Sequence, residues 1–186
     1  MNTETGQITL NRFRDVINKE PTNPWIVAAM EGNLRSFEQL RTEYRICFDK
    51  RVCLVAALFG RLDALRWLRS QNPPCPWDER TCALAAVFAP LEVLKWLRSQ
   101  DPPCPWDKSM CSYAVSFGRL DVLVWGSNQS PPCPWDLRCI NGAKKDLLRL
   151  ISSNRCSQEE RARLLEDHLG VLDWLTHNPL WVKKNK

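Results

Sequence analysis

The phrase Cys-Pro-Trp-Asp occurs three times in this chain, at 75–78, 104–107 and 133–136, each copy 29 residues after the one before. A fixed period of this size restricts the possible folds sharply. Each period is one supersecondary unit that cannot bury its apolar face alone, so successive units must stack to build a continuous core.

The repeat extends well beyond the phrase. Cys53, Cys82 and Cys111 keep the same interval, as do Trp67, Trp96 and Trp125, and the pairs Ala56-Ala57, Ala85-Ala86 and Ala114-Val115. Leu62-Asp63, Leu91-Glu92 and Leu120-Asp121 follow. One step earlier, Ala28-Ala29, Gly32, Leu34 and Phe37 match Ala56-Ala57, Gly60, Leu62 and Leu65 with a period of 28. Near the end, Leu169, Val171, Leu172, Trp174 and Leu175 echo Leu91, Val93, Leu94, Trp96 and Leu97. The array is therefore expected to start near Trp25 and to continue, degraded, almost to the last residue.

Each unit reads as two short antiparallel helices. Asp78 stands at an N-cap position, where its carboxylate accepts from an orphan amide and complements the macrodipole. The helix 79–88 carries Cys82, Ala85 and Ala86 on one side, small enough to admit a neighbouring helix. A turn follows, Gly60-Arg61 or Gly118-Arg119, with Ala89-Pro90 in the middle copy. The second helix, 91–100, places Leu91, Leu94 and Leu97 on one face. Pro102-Pro103 then forbids continuation and extends the chain toward the next phrase.

Helix, Gly-turn, helix and extended connector, with Ala-Ala before the Gly and a leucine-rich second helix, resembles the ankyrin repeat. The wording Cys-Pro-Trp-Asp…Cys…Ala-Ala…Gly-x-Leu-Asp-Val-Leu-x-Trp-Leu is similar to the divergent ankyrin-like arrays of large DNA viruses and some protists. The likeness covers residues 25–136 well and the rest weakly. The period is 29 rather than 33, and Thr81-Cys82-Ala83-Leu84 or Met110-Cys111-Ser112-Tyr113 replaces the Thr-Pro-Leu-His signature. The resemblance implies short or absent β-hairpin fingers, and a partner held on the concave surface of first helices and connector tips.

Composition narrows the setting. Residues 1–20 contain no apolar run bounded by small residues, so no secretory signal is expected. No stretch approaches the roughly 20 apolar residues of a membrane span. Nine cysteines, an odd number, without an export signal are expected to be reduced thiols inside a cell, in cytoplasm or nucleus, of a host if the viral likeness holds. The net charge of +5 permits acidic partners without requiring nucleic acid.

Three features invite chemistry, and each has a structural reading beside it. Cys75/Cys82, Cys104/Cys111 and Cys133/Cys139 form near-local pairs seven or six residues apart. Zinc sites place ligands two to four apart or combine Cys with His, so the thiols read as small buried hydrophobes and no metal is expected. A catalytic cysteine needs an adjacent base, and the only histidines are His168 and His177. The tryptophans form two ladders, Trp77/Trp106/Trp135 and Trp67/Trp96/Trp125, which could stack nucleobases but read more simply as seals between units. The basic set Arg66/Lys95, Arg69/Arg98 and Arg61/Arg119 could hold phosphates, yet Asp63, Glu92 and Asp121 interleave with it. No phosphate loop, His-carboxylate cluster or Ser/His/Asp set is present. No enzyme activity and no cofactor are expected.

Positions that differ between copies are free of the stacking constraint. Arg80, Leu84 and Val87 stand against Ser109, Tyr113 and Ser116 as a strip turned away from the Cys/Ala side, and Arg80, Lys108, Tyr113 and Arg138 are the expected partner-binding residues. In the third copy Gly126-Ser127-Asn128 replaces Leu-Arg-Ser. A helix-interior Gly costs about 1 kcal/mol, so that helix is expected to end early or fray. Ser157-Gln158-Glu159-Glu160 reads as a capping box opening another helix, and residues 1–24 as a cap at the other end. The expected architecture is an all-α solenoid of about five units: a capping segment at 1–24, repeats over 25–136, and degenerate terminal repeats over 137–186. The expected role is a monomeric, non-catalytic scaffold or adaptor for another protein, without membrane contact. The competing expectation is a nucleic-acid-binding solenoid using the Trp and Arg ladders.

Overall fold

Asparagine and aspartate start the helices. In the computed structural model, which describes residues 23–44, 48–134 and 157–177 and singly Asn141, Lys145 and Leu148, the Asn23 side chain accepts from the Trp25 amide at 3.0 Å and opens α1, Pro24–Glu31. Asn33 does the same for α2, Leu34–Glu43. Asp49 caps α3, Lys50–Leu58, accepting from the Arg51 amide at 2.8 Å. Asp78 caps α5, Glu79–Phe88, and Asp107 caps α7, Lys108–Ser116. Each side-chain oxygen satisfies one of the amides that a helix start leaves unpaired.

The alternate helices start differently. α4, Leu62–Arg69, α6, Leu91–Arg98, and α8, Leu120–Ser127, have no side-chain cap, but each has an acidic residue in its first turn: Asp63, Glu92 or Asp121. With α9, Gln158–His177, the described residues hold nine helices and no strand. The fold is all-α. No helix among them is long and apolar enough to cross a membrane.

The chain divides into two units, residues 1–105 and 106–186. In the first, α1 packs on α2, α3 on α4 and α5 on α6, while α1 also packs on α3 and α3 on α5. A helix in the position of α3 has neighbours on three sides. Accordingly every residue from Val52 to Leu58 is buried, and in α5 every residue from Thr81 to Ala86. The second helices are one-sided: Val93, Leu94 and Leu97 are buried while Glu92 and Lys95 are exposed.

The turn inside a pair reverses the chain through a left-handed residue. Gly60 has φ 67°, and a side chain there would also meet Pro90 Cδ at 3.1 Å. The middle copy lacks glycine. Ala89 is extended instead (φ −92°, ψ 159°), and Pro90 stands just before α6.

In the second unit α7 packs on α8, and α9 packs on both. Here two expectations fail. α8 does not end early: it is eight residues long, the same as α4 and α6. Gly126 is buried, and the space beside it is filled by Met110, whose Cε lies 3.1 Å from where a Cβ would stand. The likeness of 169–175 to 91–97 points to a short second helix, but these residues belong to one 20-residue helix. Val171 and Leu175 are buried in it and Leu169 is exposed. α9 begins one residue after Ser157, where the capping box places it. The expected cap at 1–24 lies outside the described residues except for Asn23 and Pro24.

Candidate functional site

The repeated cysteines do backbone work. The Cys75 amide donates to the Leu68 carbonyl at 3.0 Å, fastening the connector to the end of α4. Its own carbonyl accepts from the Arg69 guanidinium at 2.7 Å and from the Cys53 thiol at 3.7 Å. Its thiol donates to the carbonyl of Asp49, the cap of α3, at 3.8 Å. One residue thus ties the end of a second helix to the start and middle of the first helix in the same pair. The middle copy repeats every bond: Cys104 amide to Leu97 at 3.0 Å, Arg98 to Cys104 carbonyl at 2.6 Å, Cys82 thiol to the same carbonyl at 3.7 Å, and Cys104 thiol to the Asp78 carbonyl at 3.6 Å. In the second unit Cys133 donates from its amide to Gly126 at 3.0 Å and from its thiol to Asp107 at 3.7 Å. The arginine position there is Ser127, whose hydroxyl donates to Val124.

Only a small, apolar-tolerant side chain with a weak donor fits such a place, which is the physical reason for cysteine. Cys53, Cys75, Cys82, Cys104, Cys111 and Cys133 are all free thiols and all buried. The hydrogen bond with Cys75, together with burial, pushes the Cys53 thiol up, so it stays protonated and a poor nucleophile. Among the described residues no three His, Cys, Asp or Glu side chains are grouped to hold a metal.

The aromatic ladders meet each other. Trp77 meets Trp96 edge-on at 6.4 Å, and Trp106 meets Trp125 at 5.9 Å. Phe48 meets Trp67 at 6.2 Å and 83° in the same relation. Trp67 also stacks on Phe37 at 4.9 Å, and its indole N–H donates to Glu38 at 2.7 Å. Arg69 lies with its Cζ 3.9 Å from the Trp77 ring centre. Edge-to-face pairs of this kind add to the area they bury, and a guanidinium over an indole adds a cation–π contact. The helix-borne ladder is thereby engaged with the connector ladder.

Phe48-Asp49 is a fourth copy of the connector that sequence comparison passed over. Counting back 29 from Cys75-Pro76-Trp77-Asp78 gives Ile46-Cys47-Phe48-Asp49. Only the aspartate is identical. The signal was an aromatic-acid pair at the right phase, hidden by the shifted cysteine.

The expected strip is only partly exposed. Leu84 is 3% exposed and Val87 half-buried, because α5 occupies a packed inner position, so the strip of Arg80, Leu84 and Val87 is corrected to Arg80 alone. In α7 Ser109 and Ser116 are half-buried, and Tyr113 is 37% exposed. Arg80 and Lys108 are exposed, each in the first turn of its helix. Lys108 and Tyr113, five residues apart, point about 140° from each other around α7. Arg80 belongs to the first unit and the other two to the second. Arg138 lies outside the described residues. An additional concavity of about 370 Å³ lies between α1 and α2, lined in part by Val27, Leu40, Glu31 and Glu43.

No protein-family model, curated protein or solved structure matches the chain.

Proposed function

We propose that the chain is a non-catalytic scaffold of ankyrin-like repeats stacked as a solenoid, and that it binds another protein through residues that differ from copy to copy. One observation carries this reading. In the first unit's repeats, the recurring cysteine, tryptophan and arginine are engaged in contacts that hold the helices together, whereas the non-repeated Arg80, Lys108 and Tyr113 are exposed. A repeat framework whose chemistry is internal offers its variable exterior to a partner. The exposed Val27 and Tyr113 supply apolar anchors, and the basic Arg80 and Lys108 favour a partner with acidic groups. If the likeness to viral arrays is sound, the role is that of an adaptor or decoy acting on a host or viral factor inside the cell.

The competing reading, a nucleic-acid platform, draws on the same Trp and Arg residues. Arg69 and Arg98, however, direct their guanidinium groups at Cys75 and Cys104 carbonyls. Capture of partners by tagged protein, with and without nuclease and across a salt series, separates the two. A partner that survives nuclease, and is lost when Arg80→Glu, Lys108→Glu and Tyr113→Ala are combined, supports the scaffold. Signal abolished by nuclease, with the steep salt dependence of phosphate binding, overturns it.

A further inference from the structure

The α1–α2 pair is open on the side where α3 and α4 meet their predecessors. Val27, 38% exposed, and the half-buried Leu40 line the concavity of about 370 Å³ there. One pair further on, their counterparts are Val55 and Leu68, both 0% exposed. The difference is the neighbour before: α1 packs on α3 and α2 on α4. Glu31 closes α1 beside the turn and Glu43 closes α2 at its far end, so the apolar floor has a carboxylate toward either end.

The chain just before α1 has the pattern of a second helix. Leu10-x-x-Phe13-x-x-Val16 matches Leu34-x-x-Phe37-x-x-Leu40, Leu62-x-x-Leu65-x-x-Leu68 and Leu91-x-x-Leu94-x-x-Leu97. The eight residues 10–17 equal α4 and α6 in length. Six residues, 18–23, then lead to the cap Asn23, just as six, 44–49, lead from α2 to the cap Asp49. Pro21 among them bars a helix from running on into α1. At helical spacing Leu10, Phe13, Val16 and Ile17 share one face. Arg12, Arg14 and Lys19 outnumber Asp15 around it, a charge complementary to Glu31 and Glu43.

We propose that residues 10–17, which lie outside the described residues, dock as a helix in the α1–α2 groove, their Phe13 face against Val27 and Leu40. The tether is long enough. From Ile17 to Pro24 the chain spans at most about 25 Å, and α1 is only about 12 Å long. A tether this short holds the segment at an effective concentration on the order of millimolar, so a modest apolar contact suffices. Docking covers Val27. Of the two apolar anchors assigned to a partner above, Val27 is then open to it only when the segment leaves, whereas Tyr113 is unaffected. The docking itself does not rest on the partner reading.

Amide hydrogen exchange on the full chain tests this. Residues 10–17 should be protected in the wild type. Val27→Asp, a change at an exposed position, should cut that protection by about tenfold or more, as expected when one apolar contact is replaced by a charge, while α3 to α6 keep theirs. Phe13→Asp should do the same from the other side. A synthetic peptide of residues 8–20 should then bind the Phe13→Asp chain, bind the wild type at least about tenfold more weakly because the groove is occupied, and fail to bind when Val27→Asp is added. Exchange of 10–17 in the wild type as fast as in an unstructured peptide overturns the proposal, as does protection that Val27→Asp leaves unchanged. Protection that rises with chain concentration puts a second copy in the groove and overturns it too. Should Val27→Asp disturb α1, the wild-type exchange and the peptide's preference for Phe13→Asp over wild type still decide. None of these readouts involves a captured partner, so the scaffold reading can fail while the docking stands.

Discussion

The guanidinium of Arg98 donates to the carbonyl oxygen of Cys104 at 2.6 Å, six residues ahead in the chain, and Arg69 does the same to Cys75 at 2.7 Å. The half-buried arginine reaches over the end of its own helix to satisfy a buried carbonyl. Hydrogen bonds to charged donors are worth about 1.5–3 kcal/mol. Arg98→Ala should therefore lower stability by about that amount, read as a reduced urea midpoint. Lys95→Ala, an exposed cation on the same helix, should change it by about 0.5 kcal/mol or less.

Thr81 is fully buried, and its hydroxyl has no hydrogen-bond partner among the described residues. Val52 and Met110 occupy the same place in the neighbouring copies. Thr81→Val keeps the shape and removes a polar group whose unmet burial costs about 1–3 kcal/mol. A rise in stability is expected, measured by chemical denaturation. A loss would show that the hydroxyl does have a partner.

Much of this was readable from residues alone. The helix 79–88, its Asp78 cap and the small Cys/Ala face follow from capping chemistry and side-chain size, and the structure has them at those positions. What the cysteines bond to was not readable. A thiol that donates to a carbonyl 26 residues earlier leaves no trace in composition or periodicity, and the apolar reading of Cys75 accounts only for its burial. The error over Leu84 has a different origin. Variation between copies is not a sign of exposure, since Val52, Thr81 and Met110 vary inside the core too.

Six buried thiols predict a labelling pattern. A maleimide applied to the native chain should modify at most three of the nine cysteines, and all nine after denaturation. Because its bond with Cys75 and its burial push the Cys53 thiol up, Cys53 should stay unmodified even at pH 9, where an ordinary thiol is largely ionised. Rapid native labelling of Cys53 would contradict the clamp.

Acid should weaken the helix starts. The Arg119 guanidinium holds the Asp121 carboxyl below the usual carboxylate range. Burial of Asp49 works the other way, but the Arg51 amide and guanidinium outweigh it, and that carboxyl is lowered too. A carboxylate lowered in the folded state adds stability above its unfolded value, about 3.9, and loses it as pH falls through the folded value. Stability should thus drop on acidification below about pH 4. Asp49→Asn keeps the cap, as Asn23 and Asn33 show, and should shrink that drop.

Met110 and Gly126 form a matched pair of sizes. In the first unit the corresponding pairs are Val52 with Leu68 and Thr81 with Leu97. Gly126→Leu alone should destabilise by about 1–3 kcal/mol through overpacking against Met110. Combining it with Met110→Val should recover much of the loss, a coupling that a double-mutant cycle measures directly.

That exchange of bulk also governs how the copies can be recombined. Anyone who aligns the repeats and averages them column by column would treat positions 110 and 126 as independent choices, and half of the resulting hybrids would carry either two large groups or a hole. The inheritable unit is the pair of columns. A library built from these repeats should shuffle whole helix pairs and leave the boundary between a first helix and its own second helix uncut.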